Sequence, residues 1–204
     1  MTMNEENLII DAQQGDLQAF NRLVLAYQDQ VFNVAYRILS DASAAEDASQ
    51  NTFLTAFRKL NTFRGGSFKS WILTIVTHAC YDELRLLKRR PTTPLEPVMP
   101  DTDEEFDSPA WLASDDPSPE ENSMLNDLEQ AIQHCLDDLP EDFRTVVVLV
   151  DVEGLDYQSV SEVAHKPIGT IKSRLARARL KMRDCLQGFG ELIPDQFRLD
   201  REAA

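Results

Sequence analysis

The chain has 204 residues, a hydrophobic fraction of 43% and a formal net charge of −15. This length allows one or two domains, and a small number of glycines with few alternating β-branched runs favours an all-α fold. No segment is apolar for long enough to span a membrane, and the N-terminus lacks the features of a secretion signal. We therefore expect a cytoplasmic protein with no membrane insertion, whose cysteines, Cys80, Cys135 and Cys185, are most simply reduced thiols.

The negative charge is concentrated in the middle of the chain. Residues 91–142 contain sixteen acids and no lysine or arginine, which leaves a net charge of +1 for the rest of the chain. Basic surfaces can therefore lie on either side of this block, and the overall acidity does not exclude a nucleic-acid partner.

The first forty residues predict two helices. A short helix opens at Leu8–Ala12 and ends near Gly15. Asp16 can cap a second helix, whose apolar residues keep helical spacing for about six turns. A stripe of this kind is nearly always core, so no function is assigned to it. Ser40–Asp41 is expected to end this helix.

A third helix is predicted to begin around Ser43 and to bury Phe57 among other apolar residues. Its opposite face carries the polar residues Glu46, Asp47, Gln50 and Asn51. Such a face is usually only solvated, although it could also dock on a basic partner surface. Helical spacing alone favours the solvated alternative.

The segment Asn61–Trp71, NTFRGGSFKSW, sets two glycines among aromatic and cationic residues. A loop of this composition suits unstacked bases, because an aromatic ring can stack on any base while cations hold the backbone. The alternative is a turn whose aromatics close the core, a role we expect for Trp71. The residues alone leave both possibilities open.

A fourth helix is predicted from about Ser70 to Arg89, and Pro91 ends it. Its last turns carry four cations, Arg85, Lys88, Arg89 and Arg90. Cations at a helix C-terminus favour the macrodipole whatever the function, and four together also form a surface that can contact phosphates. Residues 91–123 follow as an extended linker, because they combine prolines with acids and show no lasting periodicity.

The second folded unit begins near Ser123, with one helix to about Asp138 and another from Pro140 to Val152. The run Thr145–Val150 resembles a strand, but the apolar residues around it keep helical spacing, so we predict a helix there.

The segment Asp156–Gln187 has the pattern of a helix-turn-helix. A short helix capped by Asp156 is followed by a break at His165–Lys166 and by a longer basic helix that starts near Pro167. Ile171, Leu175, Ala178 and Met182 form the apolar face of that helix. The residues expected to meet base edges in a major groove are Thr170, Lys172, Ser173 and Arg174, with later arginines on phosphates. The alternative is a solvated basic face of a helical bundle.

No residue pattern indicates catalysis or a metal site. His78, His134 and His165 lie on separate predicted helices or at the turn, and neighbouring His134 and Cys135 would point about 100° apart on a helix. Phosphate-loop, nucleophile-elbow and HExxH motifs are missing from the sequence. We therefore expect a non-enzyme that needs no cofactor and no metal.

Five segments in this order resemble the extracytoplasmic-function (group 4) sigma factors of bacterial RNA polymerase: GDLQAFNRLVLAYQDQVFNVAYRIL, AEDASQNTFLTAF, FRGGSFKSW, LPEDFRTVVVLVDVEGLDYQSVSEVA and PIGTIKSRLARAR. The resemblance implies an all-α protein with two small helical domains: an N-terminal bundle and a C-terminal four-helix domain with the helix-turn-helix. It implies a region 2 domain at residues 1–90, the acidic proline-rich linker at 91–123, a region 4 domain at 124–188 and a tail at 189–204.

The resemblance also implies roles for particular residues. The residues expected to bind the clamp helices of the largest polymerase subunit are Asp47, Gln50 and Asn51. Those expected at the minus-ten element are Phe63, Arg64, Ser67, Phe68, Lys69, His78, Asp82, Arg85, Lys88, Arg89 and Arg90. Those expected at the minus-thirty-five element are Thr170, Lys172, Ser173, Arg174 and Arg177. His78 stands where many relatives carry an asparagine, and Thr74 where an arginine is common.

The implied function is an alternative sigma factor, which binds core polymerase, directs initiation at particular promoters and stabilises melted DNA. The implied partners are core polymerase (its clamp helices and flap), promoter DNA and an anti-sigma factor. The first alternative is a stand-alone helix-turn-helix regulator that binds its operator without polymerase. The second is a helical adaptor whose basic faces are only solvated.

Overall fold

The computed structural model describes residues 5–89 and 119–192, and every regular element within these ranges is helical. The α-helices are α1 (Glu5–Gln13), α2 (Leu17–Leu39), α3 (Ala42–Lys59), α4 (Phe68–Arg89), α5 (Pro119–Asp137), α6 (Glu141–Val147), α7 (Tyr157–Ala164) and α8 (Ile168–Leu186). Two 3-10 turns occupy Leu60–Thr62 and Gln187–Phe189, and a π-helical turn occupies Val148–Val152. The all-α prediction is confirmed. The predicted linker lies outside the described residues as far as residue 118, whereas residues 119–123, which the prediction assigned to the linker, form the first part of α5. Arg90 and residues 193–204 also lie outside the described residues.

Local capping signals set several helix ends where the sequence predicted them. The Asp16 carboxylate accepts hydrogen bonds from the amides of Gln18 and Ala19 at 2.8 and 3.3 Å, which satisfies donors that have no partner within the first turn of α2. Ser40 ends α2 in the left-handed region, with φ of 59°. The run that resembled a strand is helical, as predicted, and its second half winds as the π-helical turn.

The N-terminal domain is a bundle in which α2, α3 and α4 pack on one another and α1 covers one side of α2. Its fully buried side chains include Leu23, Ile38, Ile72 and Val76. The prediction that Phe57 is buried is wrong: the residue is 48% exposed, and its ring packs on Phe20 with the centroids 5.0 Å apart.

In the C-terminal domain, α6 packs along α8 while α5 and α7 flank α8. Leu136, Val146, Leu149, Ile171 and Leu175 are fully buried there or nearly so. This arrangement buries the apolar face of α8 and leaves its basic face toward solvent.

The cysteines depart from the expectation of three reduced thiols. Cys135 in α5 and Cys185 in α8 form a disulfide, with their Cα atoms 5.7 Å apart, whereas Cys80 is a free thiol buried in the N-terminal domain. Burial raises the pKa of the Cys80 thiol to about 12. The prediction of reduced thiols is therefore wrong for the pair and holds for Cys80.

The two domains contact each other in this structure. α2 packs against α6 and the π-helical turn, and α4 packs against α7. Arg144 of α6 is 9% exposed and donates across this interface to the Ile38 carbonyl at 3.0 Å and the Ser40 hydroxyl at 2.6 Å. The same guanidinium donates to the Asp137 carbonyl of its own domain at 2.8 Å. Arg144 therefore links the C-terminal end of α2 to the C-terminal domain.

Candidate nucleic-acid interface

The geometry from α7 to α8 is that of a helix-turn-helix. Asp156 caps α7 by accepting from the Ser159 amide at 2.8 Å, and this bond is the main reason that the pKa of its carboxyl lies below the ordinary value. His165 ends α7 in the left-handed region, with φ of 50°. Pro167 then precedes the first residue of α8. The predicted break between a short helix and a basic helix is confirmed.

The exposed face of α8 carries part of the predicted minus-thirty-five set. Lys172, Ser173 and Arg177 are exposed, whereas Thr170 is half-buried. Arg174 has an 18% exposed side chain and pairs with Asp142 at 2.6 Å. Arg174 is therefore held against α6, while exposed Lys172, Ser173 and Arg177 can meet a groove without rearrangement.

Two neighbouring contacts of α8 shape this basic face. Lys172 Nζ lies 5.5 Å from the centroid of the Tyr157 ring, a distance at which cation–π attraction acts. Arg179 forms a two-bond pair with the Asp151 carboxylate at 2.6 and 3.0 Å, which raises the pKa of the guanidinium. The positive charge of Arg179 is thus paired with an acid of its own domain, whereas Arg177 is exposed on the face of α8.

The predicted polymerase-binding residues share one face of α3. Asp47, Gln50 and Asn51 are all exposed, and Leu54 continues the same face with 54% exposure. Their spacing of three and four residues places them side by side along the helix. A polar strip with an exposed leucine at its end can therefore dock on another protein without any change in the bundle.

The loop before α4 turns at two glycines. Gly65 and Gly66 have φ of 96° and 91°, values that side chains rarely adopt, so the sequence places glycine where the turn needs it. The loop leaves Arg64 and Ser67 exposed. The Ser67 hydroxyl accepts from the Ser70 amide at 3.1 Å and so caps α4 two residues earlier than predicted.

The aromatics around this loop form a cluster rather than an open stacking platform. Phe68 is 2% exposed, and its ring lies 5.4 Å from Tyr27, 5.6 Å from Phe63 and 5.4 Å from Trp71. Phe68 therefore belongs to the core in this structure, as the alternative interpretation of the segment held. Phe63 is half-buried at the edge of the cluster and keeps part of its ring toward solvent.

Lys69, His78 and Lys88, three of the predicted minus-ten side chains on α4, contact the C-terminal domain. Lys69 Nζ donates to the Glu153 carbonyl at 2.8 Å and pairs with its carboxylate at 3.2 Å. His78 Nε2 donates to the Val163 carbonyl at 3.0 Å, and its ring stacks on His165 with the centroids 5.3 Å apart.

The remaining predicted side chains lie toward the end of α4. Lys88 pairs with Glu141 at 2.7 Å, again across the interface between the domains. Asp82 and Arg85 pair with each other at 2.7 Å on the exposed side of the helix, and Arg89 is exposed. The structure therefore brings the α4 residues together on one surface, but the C-terminal domain covers part of it.

Sequence reasoning missed Glu153 and Arg144, which bind across the domain interface. Their partners lie far away in the chain, with a sequence separation of 84 for Lys69 and Glu153 and of 106 for Ile38 and Arg144. Helical periodicity reports only neighbours within a few turns and gives no signal for such pairs. An arginine within the predicted apolar helix Pro140–Val152 was the single available hint.

Across residues 5–89 and 119–192, no helix combines the length and the apolarity needed to cross a membrane. Within the same ranges, no three histidine, cysteine or acidic side chains come together in a way that could hold a metal ion.

Comparisons with known families and structures cover both domains. The family model for Sigma-70 region 2 matches residues 23–90, and the model for Sigma-70 region 4 matches residues 129–182. The RNA polymerase sigma-H factor of Pseudomonas aeruginosa is 35% identical over 90% of this chain and 94% of its own length. The ECF RNA polymerase sigma-E factor of Haemophilus influenzae is 33% identical over 91% of this chain and 96% of its own.

Two solved structures share the fold. The sigma factor RpoE from Bartonella quintana, solved in complex with the anti-sigma factor NepR, aligns with a TM-score of 0.61 and 22% identity. That alignment covers 84% of this chain and 98% of the other. CnrH, solved in complex with the cytosolic domain of CnrY, aligns with a TM-score of 0.62 and 20% identity, over 90% of this chain and 97% of the other.

Proposed function

The chain belongs to the extracytoplasmic-function sigma factors of bacterial RNA polymerase. We propose which surface of the protein performs each step of initiation. Its function is that of an alternative sigma factor that directs transcription initiation. Membership of this family excludes both alternatives, a stand-alone helix-turn-helix regulator and a helical adaptor that binds no DNA. We propose further that the protein acts in the cytoplasm without catalysing a reaction of its own, with region 2 in residues 1–90, the linker in 91–123, region 4 in 124–188 and the tail in 189–204.

The minus-thirty-five element is read by the exposed face of α8. The observation that carries this assignment is that Lys172, Ser173 and Arg177 project from a helix whose opposite face is fixed in the domain core. A helix held in this way can enter a major groove with its polar side chains already ordered. Thr170 lies at the same end, and Arg174 joins these contacts after leaving Asp142.

The minus-ten element is held by the loop before α4 and by α4 itself. Phe63 supplies the ring that stacks on an extruded base, and exposed Arg64 and Ser67 lie beside it. Phe68 is buried, so we assign it to supporting Phe63 rather than to contacting a base. The cationic and polar contacts to the melted strand and the upstream duplex come from Lys69, His78, Asp82, Arg85, Lys88, Arg89 and Arg90.

Core polymerase is bound through the face of α3 that carries Asp47, Gln50 and Asn51, which docks on the clamp helices, while region 4 docks on the flap. The support for the first contact is the continuous exposed strip on α3. An anti-sigma factor is the third expected partner, and the support is that the similar sigma factor RpoE of Bartonella quintana was solved in complex with the anti-sigma factor NepR.

The experiment that tests this proposal is run-off transcription with purified core polymerase and a promoter from upstream of the protein's own gene. We expect a transcript only when both proteins are present. Replacing Arg177 with alanine removes a groove-facing cation, so transcription should fall by about fivefold to 150-fold, corresponding to roughly 1–3 kcal/mol.

Arg183→Ala is the matched control, because Arg183 lies near the end of the same helix and pairs with Asp184 at 2.9 Å. It should transcribe almost as well as the unchanged protein. The assignment of α8 would be wrong if both variants lost activity equally, or if the Arg177→Ala defect persisted on a promoter without a minus-thirty-five element.

A further inference from the structure

Region 4 holds side chains that the proposed function gives to minus-ten DNA. Lys69 binds Glu153, His78 binds the Val163 carbonyl, and Lys88 pairs with Glu141. All three partners come from the C-terminal domain. A DNA strand that reaches these groups must first displace region 4 from the surface of α4.

Glu153 provides Lys69 with oxygen acceptors of the kind that a DNA phosphate would provide. Lys69 Nζ donates a hydrogen bond to the Glu153 carbonyl oxygen at 2.8 Å and lies 3.2 Å from one oxygen of the Glu153 carboxylate, so two oxygens contact a single ammonium. The Glu153 side chain is only 8% exposed, and the Gln30 side-chain amide donates to the same carboxylate oxygen. A negatively charged group held by a lysine and an amide reproduces contacts that proteins make to the DNA backbone.

The His78 contact reinforces this competition. Its Nε2–H is used by the Val163 carbonyl, and one face of its ring is covered by His165. His165 is the residue that turns the chain between α7 and α8, so the helix-turn-helix itself covers His78. Region 4 therefore covers both the Lys69 ammonium and the His78 ring on α4.

We propose that Glu153 is an internal substitute for a DNA phosphate, which keeps the free protein closed by occupying Lys69 until core polymerase separates the two domains. This inference rests on the proposed function, because it takes Lys69 and His78 to be minus-ten contacts. The closed form and the form bound to minus-ten DNA exclude each other. The free protein binds promoter DNA weakly for this reason, and opening makes the same residues available.

Zero-length cross-linking with a water-soluble carbodiimide tests the closed form directly, because it joins an amine to a carboxylate that already touches it. In the free full-length chain, we expect mass spectrometry to find a peptide joining Lys69 to Glu153 and another joining Lys88 to Glu141. Both should disappear on addition of core polymerase. A chain that gave neither peptide when free, or gave both undiminished when bound to core polymerase, would overturn the proposal.

A pair of variants tests the inhibitory effect. Glu153→Lys replaces the partner of Lys69 with a like charge and should open the protein. Asp151→Lys makes the same change of charge two residues earlier, where the lost partner is Arg179 of the same domain. Both variants add equal non-specific attraction for DNA, so the difference between them reports the opening.

The probe is a fork of duplex and single-stranded minus-ten DNA that lacks a minus-thirty-five element, with binding followed by fluorescence anisotropy. Glu153→Lys should bind at least roughly two- to fivefold more tightly than Asp151→Lys, which is the effect of removing one ion pair whose lysine is partly exposed. Equal affinities would show that Glu153 does not restrain the protein. Glu153→Gln supplies a milder variant; because carbodiimide cannot activate its amide, opening is followed by the Lys88–Glu141 peptide, which should weaken in Glu153→Gln and persist in Asp151→Lys.

Failure of this inference can be told apart from failure of the proposed function. Transcription by the unchanged protein with core polymerase depends on the surfaces of α3, α4 and α8 and not on Glu153. Absence of a transcript would refute the proposed function. A normal transcript together with no cross-linked peptide and equal DNA affinities would refute only the role of Glu153.

Discussion

Reduction of the Cys135–Cys185 disulfide should destabilise region 4 strongly while leaving region 2 intact. The bond joins positions 50 residues apart and so restricts most of the unfolded domain. For a loop of this length, the chain-entropy model gives a loss of about 4 kcal/mol in the free energy of unfolding. Domains of this size are stable by only about 5–15 kcal/mol, so the loss is a large part of the total.

The assay is urea unfolding of the full-length chain with and without reductant, with hydrogen exchange used to tell the domains apart. At a slope of about 2 kcal/mol per molar urea, reduction should lower the midpoint of region 4 by roughly 2 M. Amides in α5 and α8 should lose protection, whereas those in α2 and α3 should keep it. Before reduction, one thiol should react in the unfolded chain and none in the folded chain, because the Cys80 thiol is buried with a pKa raised to about 12.

Cys185→Ser is the control for this measurement. Cys185 is half-buried, so the substitution leaves little cavity, and the variant should match the reduced protein with or without reductant. The argument would be refuted if oxidised and reduced chains unfolded at the same urea concentration although mass spectrometry had confirmed the bond in the first.

Three further predictions concern Phe68, Phe63 and Asp156. Phe68→Ala should cost about 3–5 kcal/mol in the free energy of unfolding because it empties a core position, as urea titration would measure. Phe63→Ala should cost much less and should instead weaken permanganate reactivity of melted minus-ten thymines; unchanged reactivity would contradict the base-stacking role. For Asp156, the capping bond from the Ser159 amide lowers the pKa of the folded carboxyl below its unfolded value. Its stabilising effect is therefore present above the unfolded pKa and is lost as the pH falls through the folded one. Hydrogen exchange in α7 should show this loss, and Asp156→Asn should remove that pH dependence.

The elements that the sequence predicted are those with local causes. Asp16 and Asp156 act within three residues of themselves, and the apolar residues of α8 repeat within each turn, so their structure follows from a short stretch of chain. Phe57 shows the limit of this reasoning. Its spacing fits the buried face of α3, yet the neighbouring helices leave half of the ring uncovered. Helical periodicity predicts the direction in which a side chain points. It does not predict whether a neighbouring helix extends far enough to cover that side chain.

The contacts between the two domains, and the disulfide, join residues that are far apart in the sequence. Glu153 meets Lys69, and Cys135 meets Cys185, only after the helices have packed, so neither pair leaves a pattern in the sequence. The chemistry of the α8 face was predictable because charge and helical spacing occur together there. The covering of α4 by region 4 was not, because it depends on how two separately folded domains meet.

The interface between the domains has the composition expected of a contact that must open. Each of the pairs Lys69–Glu153 and Lys88–Glu141 has a lysine that is more than a third exposed, and exposed pairs contribute about 0–1 kcal/mol each. Arg144 is buried more deeply, and its guanidinium is charged, so each of its hydrogen bonds across the interface contributes about 1.5–3 kcal/mol even though water would hydrate both partners after opening.

Closure also carries a cost of its own. In the part of the chain that the structure describes, Arg144 Nε is a buried side-chain atom with no hydrogen-bond partner, which destabilises the closed form by about 1–3 kcal/mol. Moving a population from almost fully closed to almost fully open requires a difference in binding of about 5.5 kcal/mol between the two forms. A protein–protein interface of ordinary size can supply that difference, because core polymerase would bind the open form alone. An interface made of stronger contacts would have kept the minus-ten residues covered even in the presence of the polymerase.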